Sequence, residues 1–188
     1  MKKPQKTVAL IILFLSVSVY CNDDKELNYE FTQRDTYYSF RGSFYIEAEF
    51  NCPIDLIYNF ENISNYALGA KSIELVQQGE NWFDVAFTYR KFIIIENKST
   101  WRRTLKKNEH KIIFELLSNR NNIDIIPKMK NSTGYYQIYT ENGCCYVEYF
   151  QECELYSGFL KGAYISGAER EAVKFLEALK EHLIRVCD

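Results

Sequence analysis

Prolines, histidines and the familiar catalytic signatures are scarce in this sequence. Only three of its 188 residues are proline and two are histidine. It contains no Gly-x-Ser-x-Gly nucleophile elbow, no glycine-rich phosphate loop and no His-Glu-x-x-His zinc motif. The linear signatures of serine hydrolases, P-loop enzymes and zinc peptidases are therefore missing, and no motif predicts a catalytic residue or a cofactor.

The two histidines do not have the spacing of a metal site. His110 lies at a predicted turn and His182 on a predicted C-terminal helix, so both are expected at the surface. His182 and Cys187 are five residues apart near the end of that helix, which is poor spacing for ligands that must converge on one ion. The sequence predicts no metal.

An excess of positive charge is also missing. The formal net charge is −2, and removing the three lysines of the first segment changes it to −5. A nucleic-acid partner calls for a basic face, so none is expected.

The first twenty residues have the pattern of a secretion signal. Three lysines precede an apolar run from Val8 to Val19, which two serines interrupt. The run is shorter than the roughly 20 apolar residues that a spanning helix needs, and five polar residues follow from Asn22 to Glu26. We predict a signal peptide over residues 1–20 and an exported protein.

Cys21 stands where the apolar run ends. Ser18-Val19-Tyr20-Cys21 resembles the lipobox of bacterial lipoproteins, although Tyr20 occupies a position that normally holds a small residue. If Cys21 is lipidated, the protein is a membrane-anchored envelope lipoprotein; otherwise it is periplasmic or secreted. In either case residues 21–35 are expected to form a tether or a disordered N-terminal segment.

The five later cysteines are an odd number, so at least one thiol must be free. Cys144 and Cys145 are adjacent on a predicted strand and point to opposite faces, which disfavours a bond between them.

Residues 36–188 predict a single α+β domain that is rich in strands. Aromatic residues make up 16% of the chain, including 15 tyrosines and 13 phenylalanines, and these residues favour sheets. Within Trp82–Lys91 alternate residues share one apolar face, as a half-buried strand requires. We expect an exposed loop at 119–122. The predicted order is a strand (36–50, with Gly42 as a possible bulge), two short helices (54–60 and 63–68), six meandering strands (72–155) and an amphipathic helix (164–186).

This order resembles the helix-grip fold of the START/Bet v 1-like (SRPBCC) superfamily over residues 36–186. The sequence from Ala48 to Tyr58 is similar to the end of that fold's first strand and the start of its first short helix, and Tyr66 is similar to the tyrosine of its second helix. Tyr135-Tyr136-Gln137-Ile138 and Val147-Glu148-Tyr149 look like its last two strands.

The resemblance implies a curved antiparallel sheet of about seven strands that grips the C-terminal helix around a cavity. It also implies that the first and last strands are neighbours, which would bring Cys52 close to Cys144 or Cys145 for a disulfide. A strongly bent sheet does not close fully on one helix, so bulky side chains or a ligand must fill the gap.

The candidate ligand-binding residues are those that alternation or the resemblance directs toward this cavity. Arg103 either reaches inside, where it would bind an anionic head group, or lies at the surface, which the rarity of buried unpaired arginines favours. Glu115 and Glu148 are similar cases that could pair with arginines across the sheet. The candidates are Phe83, Val85, Phe87, Tyr89, Trp101, Arg103, Phe114, Tyr136, Val147 and Tyr149.

Three functions fit these features. The favoured one is a carrier that holds a hydrophobic small molecule or lipid without chemistry in the cell envelope. The second is an enzyme of the same fold, cyclase-like or hydrolase-like, whose site needs no linear motif. The third is a module whose aromatic surface recognises another envelope protein.

Overall fold

The computed structural model describes residues 27–91, 95–121, 127–141, 143–158 and 160–187. The predicted signal peptide and Cys21 lie outside these residues, so export and lipidation stay predictions. Among the helices of the described part, none is long and apolar enough to cross a bilayer.

Eight antiparallel strands form one sheet in the order β1-β2-β8-β7-β6-β5-β4-β3. The strands are β1 (Asn28–Arg34), β2 (Tyr37–Ile46), β3 (Ser72–Gln78), β4 (Trp82–Lys91), β5 (Ile95–Lys106), β6 (Lys111–Asn121), β7 (Met129–Glu141) and β8 (Cys144–Leu155). The helices are α1 (Asn51–Tyr58), α2 (Ile63–Tyr66) and α3 (Lys161–Cys187), with short 3-10 turns at Phe60–Asn62 and Lys107–Glu109.

Strand β1 corrects the predicted tether. Residues 28–34 pair with β2 along their whole length, so the sheet has one strand more than the seven expected. The stabilising contacts are aromatic, because Tyr29 stacks on Phe40 with ring centroids 5.7 Å apart and Phe31 stacks on Tyr38 at 5.8 Å. The disordered segment predicted for 21–35 is thus wrong for its second half.

The expected loop at 119–122 is wrong in the same way for residues 119–121, which belong to β6. The side chain of Asn119 connects β6 to both neighbouring strands. Its amide nitrogen donates to Oδ1 of Asn97 in β5 at 2.8 Å, and its oxygen accepts from the backbone N–H of Met129 in β7 at 3.0 Å. Because these bonds satisfy the polar side chain of Asn119, the residue is accommodated in a strand although its type favours loops.

Helix α3 lies across the concave face of the sheet and buries an apolar stripe of Leu176, Leu179 and Leu183. Gly42 is not a bulge, because the pairing of β2 with β8 runs through it without interruption. A Cβ atom at Gly42 would overlap with the side chain of Leu176, so the glycine lets α3 approach the sheet closely. Helices α1 and α2 close one end of the core with Ile54, Ile57, Ile63 and Tyr66.

A disulfide joins Cys52 of α1 to Cys187 at the end of α3, with Cα atoms 5.8 Å apart. The predicted bond from Cys52 to Cys144 or Cys145 is therefore wrong. Cys145 lies opposite Ile46, where β2 ends, and the chain then leaves the sheet to enter α1 before it reaches Cys52. The buried thiol of Cys145 is free and donates to the carbonyl oxygen of Ala48 at 3.3 Å.

Candidate ligand-binding site

Arg103 lies at the centre of the concave face. In the sheet it pairs with Phe83 of β4 on one side and with Phe114 of β6 on the other. Only 6% of the residue is exposed, so the favoured expectation of a surface arginine is wrong. Period-2 alternation along β5 places it on the same face as Trp101, which turns its charged group toward the helices.

The guanidinium group of Arg103 holds the segment between α1 and α2. Its Nη1 atom donates to the carbonyl oxygen of Ile57 and to the hydroxyl of Tyr66, both at 2.9 Å. The Tyr66 hydroxyl donates to the same carbonyl at 3.0 Å. On the other side, Nη2 lies 3.5 Å from the hydroxyl of Tyr136. These contacts form a buried polar cluster, which we call the Arg103 cluster (Ile57, Tyr66, Arg103 and Tyr136).

The Arg103 cluster carries a positive charge. Burial alone would lower the pKa of Arg103, but the hydroxyls of Tyr66 and Tyr136 favour the charged form and keep the pKa above its usual range. Burial raises the pKa of Tyr136 more than Arg103 lowers it, so this phenol stays neutral. Within the described residues, no carboxylate forms an ion pair with Arg103.

Aromatic rings surround the cluster and connect the sheet to α3. The Phe114 ring lies 6.0 Å from Trp101 and is stacked on Tyr149 at 5.6 Å. Tyr149 in turn contacts Phe175 of α3 at 5.5 Å, and Phe175 contacts Tyr66 at 5.7 Å. We call these five residues the aromatic wall. Aromatic side chains of the sheet and of α3 thus contact each other directly in this region.

All ten predicted site residues lie in this one region. Eight are buried, while Tyr89 and Trp101 are half-buried and pack against the same core. The structure therefore brings the candidates together on the concave face, and their part in binding a ligand stays a prediction. Two further residues of the aromatic wall were not among the candidates: Tyr66, which appeared only in the family resemblance, and Phe175, which the helical pattern shows simply as core.

His182 was also missed as an interior residue. It faces the core from α3 with 4% exposure, its ring 6.1 Å from that of Tyr66, so the predicted surface position is wrong. Its Nδ1 atom lies 3.1 Å from Arg185, whereas its Nε2 atom is buried without a hydrogen-bond partner in the described chain. Burial and the charge of Arg185 lower the pKa of His182.

The two predicted glutamates lie on the outer face of the sheet and not in the core. Glu148 accepts a hydrogen bond from Tyr135 at 2.6 Å and forms an ion pair with Arg41 at 3.5 Å. Glu115 is exposed and lies opposite Arg102 in the sheet. The prediction that such residues pair across strands is therefore confirmed for Glu148.

A shallow surface depression of about 360 Å³ differs from this region in its lining residues. It is lined by Asn81 and by residues 104–109, none of which is aromatic. No three histidine, cysteine, aspartate or glutamate side chains of the described residues converge to hold a metal ion.

No model of a known protein family matches the sequence, and no curated protein matches it. Solved structures do share its fold. A STAR-related lipid transfer protein from Xanthomonas axonopodis superposes with a TM-score of 0.66 at 12% identity, covering 86% of this chain and 95% of that one. The Zhui aromatase/cyclase from Streptomyces sp. R1128 gives 0.64 at 13% identity, covering 79% and 94%.

A START superfamily protein from Mycobacterium smegmatis gives a TM-score of 0.61 at 8% identity, covering 79% of this chain and 98% of that one. Identities this low show the fold and not the activity. The chain accordingly has the helix-grip fold of the START/Bet v 1-like proteins, as the order of its predicted elements indicates.

Proposed function

We propose that the protein binds and carries a hydrophobic ligand, a lipid or a similar molecule, between the concave face of the sheet and α3. The observation that carries this proposal is the aromatic wall, through which the sheet and the helix meet. Aromatic side chains turn aside more readily than packed backbones, and they offer a large apolar surface to a guest. The names of the similar structures, a lipid transfer protein and an aromatase/cyclase, support the same kind of ligand.

The proposed place of action is the cell envelope. The predicted signal peptide supports export, and Cys21 would anchor the protein in a membrane if it is lipidated. Intact-mass measurement of the protein from its native envelope tests this point, because acyl chains add a defined mass that cleavage without lipidation does not.

The proposed function involves no chemistry. The phenols of Tyr136 and Tyr149 keep their protons, because burial raises their pKa values well above the ordinary range. Glu115 and Glu148, the carboxylates weighed for the interior, lie on the outer face. The polar groups of the interior are therefore suited to hold a ligand in place rather than to exchange protons with it.

Neighbouring residues of β8 give a matched test. Tyr149 points into the core and Phe150 points to the outer face, so Tyr149→Leu and Phe150→Leu remove similar rings from opposite sides. Each variant is titrated with a fluorescent fatty-acyl probe after folding is verified by circular dichroism. We expect Tyr149→Leu to weaken binding at least tenfold and Phe150→Leu to leave it within twofold. Equal effects of the two variants would contradict the proposed location.

A second candidate function, recognition of another envelope protein, is favoured by the outer face. Tyr45 and Tyr139 contact Tyr146 at 4.8 and 6.0 Å, and Tyr139 is 45% exposed. Exposed clusters of aromatic residues are typical of binding surfaces. A photoreactive phenylalanine at position 139 should then cross-link to one discrete envelope protein, while the same group at the exposed Glu47 should not.

A further inference from the structure

We infer that the ligand is an anionic amphiphile whose carboxylate head binds the Nε–Nη2 edge of Arg103. The inference rests on the proposed function and specifies its ligand class. It depends on three properties of the Arg103 cluster: the N–H donors that Arg103 has left, the charge that no carboxylate of the described residues neutralises, and the aromatic wall beside it.

The donors of Arg103 are used unevenly. An arginine has five N–H groups in a fixed plane. Nη1 is fully engaged, because it donates to Ile57 and to Tyr66 at 2.9 Å. Nη2 has only the 3.5 Å contact with Tyr136, and Nε makes no hydrogen bond within the described residues. The under-used edge is the Nε–Nη2 edge, which presents two parallel N–H groups.

A carboxylate matches this edge in geometry and in charge. Its two oxygens accept two parallel N–H bonds, the bidentate arrangement that arginine forms with carboxylates. The Tyr136 hydroxyl lies beside the edge and is free to donate a third bond to the bound oxygen, since its pKa is raised and it keeps its proton. A neutral hydroxyl or ester would satisfy fewer of these donors.

The charge of Arg103 also calls for an anion. Buried charges are normally paired, because an isolated ion loses its hydration without compensation. Arg103 is 6% exposed and its partners are a carbonyl and two phenol hydroxyls, none of which is a carboxylate. The same residues already hold its position, so the site is preorganised for the head group. The tail would then lie against the aromatic wall, where Phe114 and Tyr149 adjoin the cluster.

A pair of probes that differ only in charge tests the inference. Dansylaminoundecanoic acid and its methyl ester are titrated against the full mature protein at neutral pH. We expect the acid to bind at least tenfold tighter, the size of a charge-assisted bidentate contact. The preference should vanish as the pH falls through the pKa of the probe carboxyl. This pH series needs no variant, and circular dichroism at each pH verifies that the protein stays folded.

Variants then locate the contact. Arg103→Met should bind acid and ester equally, whereas the control Arg41→Met, an exposed arginine of the outer face, should keep the preference. Arg103→Lys keeps the charge but not the planar edge, so it should lose most of the preference.

The outcomes separate the two proposals. If wild-type protein binds both probes saturably and equally, the carrier function stands and the carboxylate inference is overturned. If neither probe binds, the carrier function itself fails. Displacement of the acid by dodecyl phosphate but not by dodecanoate would also overturn the carboxylate inference, because it would assign the site to a phosphate head.

Discussion

Removal of the disulfide between Cys52 and Cys187 should cost more stability than any single contact in the core. The bond closes a loop with a sequence separation of 135 residues, which is most of the folded domain. In the chain-entropy model, a cross-link of that span restricts the unfolded state by about 5 kcal/mol at 25 °C. Since removal of a native disulfide typically costs about 2 to 5 kcal/mol, we expect a loss of about 3 to 5 kcal/mol.

The double variant Cys52→Ser/Cys187→Ser is the right perturbation, because it leaves neither partner of the broken bond as a new unpaired thiol. Urea unfolding of the variant and the wild type, followed by tryptophan fluorescence and by far-UV circular dichroism, gives the free energy of unfolding and the m-value. The m-value should rise, since the unfolded chain expands when the long loop is opened.

A loss below about 1 kcal/mol with an unchanged m-value would refute this reasoning, because it would mean that the unfolded chain is already as compact without the bond. The control is Cys153→Ala, which removes a buried free thiol and therefore breaks no cross-link. It should leave the m-value unchanged.

Two further predictions concern packing and pH. Gly42→Ala should destabilise the fold by about 1 to 3 kcal/mol, because the new methyl group overlaps with Leu176. The control Gly167→Ala on α3 meets no atom within 4 Å and should stabilise the fold by about 0.5 to 1 kcal/mol. Thermal unfolding compares the two variants, and similar shifts in their melting temperatures would contradict the close approach of helix and sheet. The pKa of His182 is lowered from 6.5 in the folded state, so the unfolded chain takes up the proton first and stability falls as the pH drops below about 6.5. His182→Gln should remove this fall between pH 6.5 and 5 in urea titrations, and an unchanged pH slope would show that the histidine is not held neutral in the core.

The sequence predicts most of the architecture because the architecture depends on periodicity. Alternation predicts strands in the regions of β2 to β8, and the 3.6-residue spacing predicts α3, with ends that differ from the observed ones by up to about six residues, as at the start of β7. Strand β1 is not predicted, because a polar segment directly precedes it and obscures its pattern, although Tyr29 and Phe31 alternate as strand residues do. That signal was present in the sequence.

Residue positions that depend on tertiary contacts were harder to predict. The general rarity of buried arginine favoured a surface position for Arg103, and only the arrangement of Ile57, Tyr66 and Tyr136 around it reverses that preference. The partner of Cys52 depends on where the end of α3 lies relative to α1, which no local pattern encodes. His182 was a different case, since it follows Leu179 by three residues and so continues the buried stripe of the helix.

The disulfide at Cys187 fixes one end of α3 and leaves the other end free of covalent restraint within the described residues. A covalent link holds the C-terminal end of the helix to α1, so any swing that admits a ligand must be smallest there and largest at Lys161, 26 residues earlier. At that far end Lys161 forms an ion pair with Asp35, which is largely exposed to solvent. Exposed ion pairs weaken as the salt concentration rises, so high salt should free this end of α3 to move. Exchange of a bound ligand should therefore be faster in high salt.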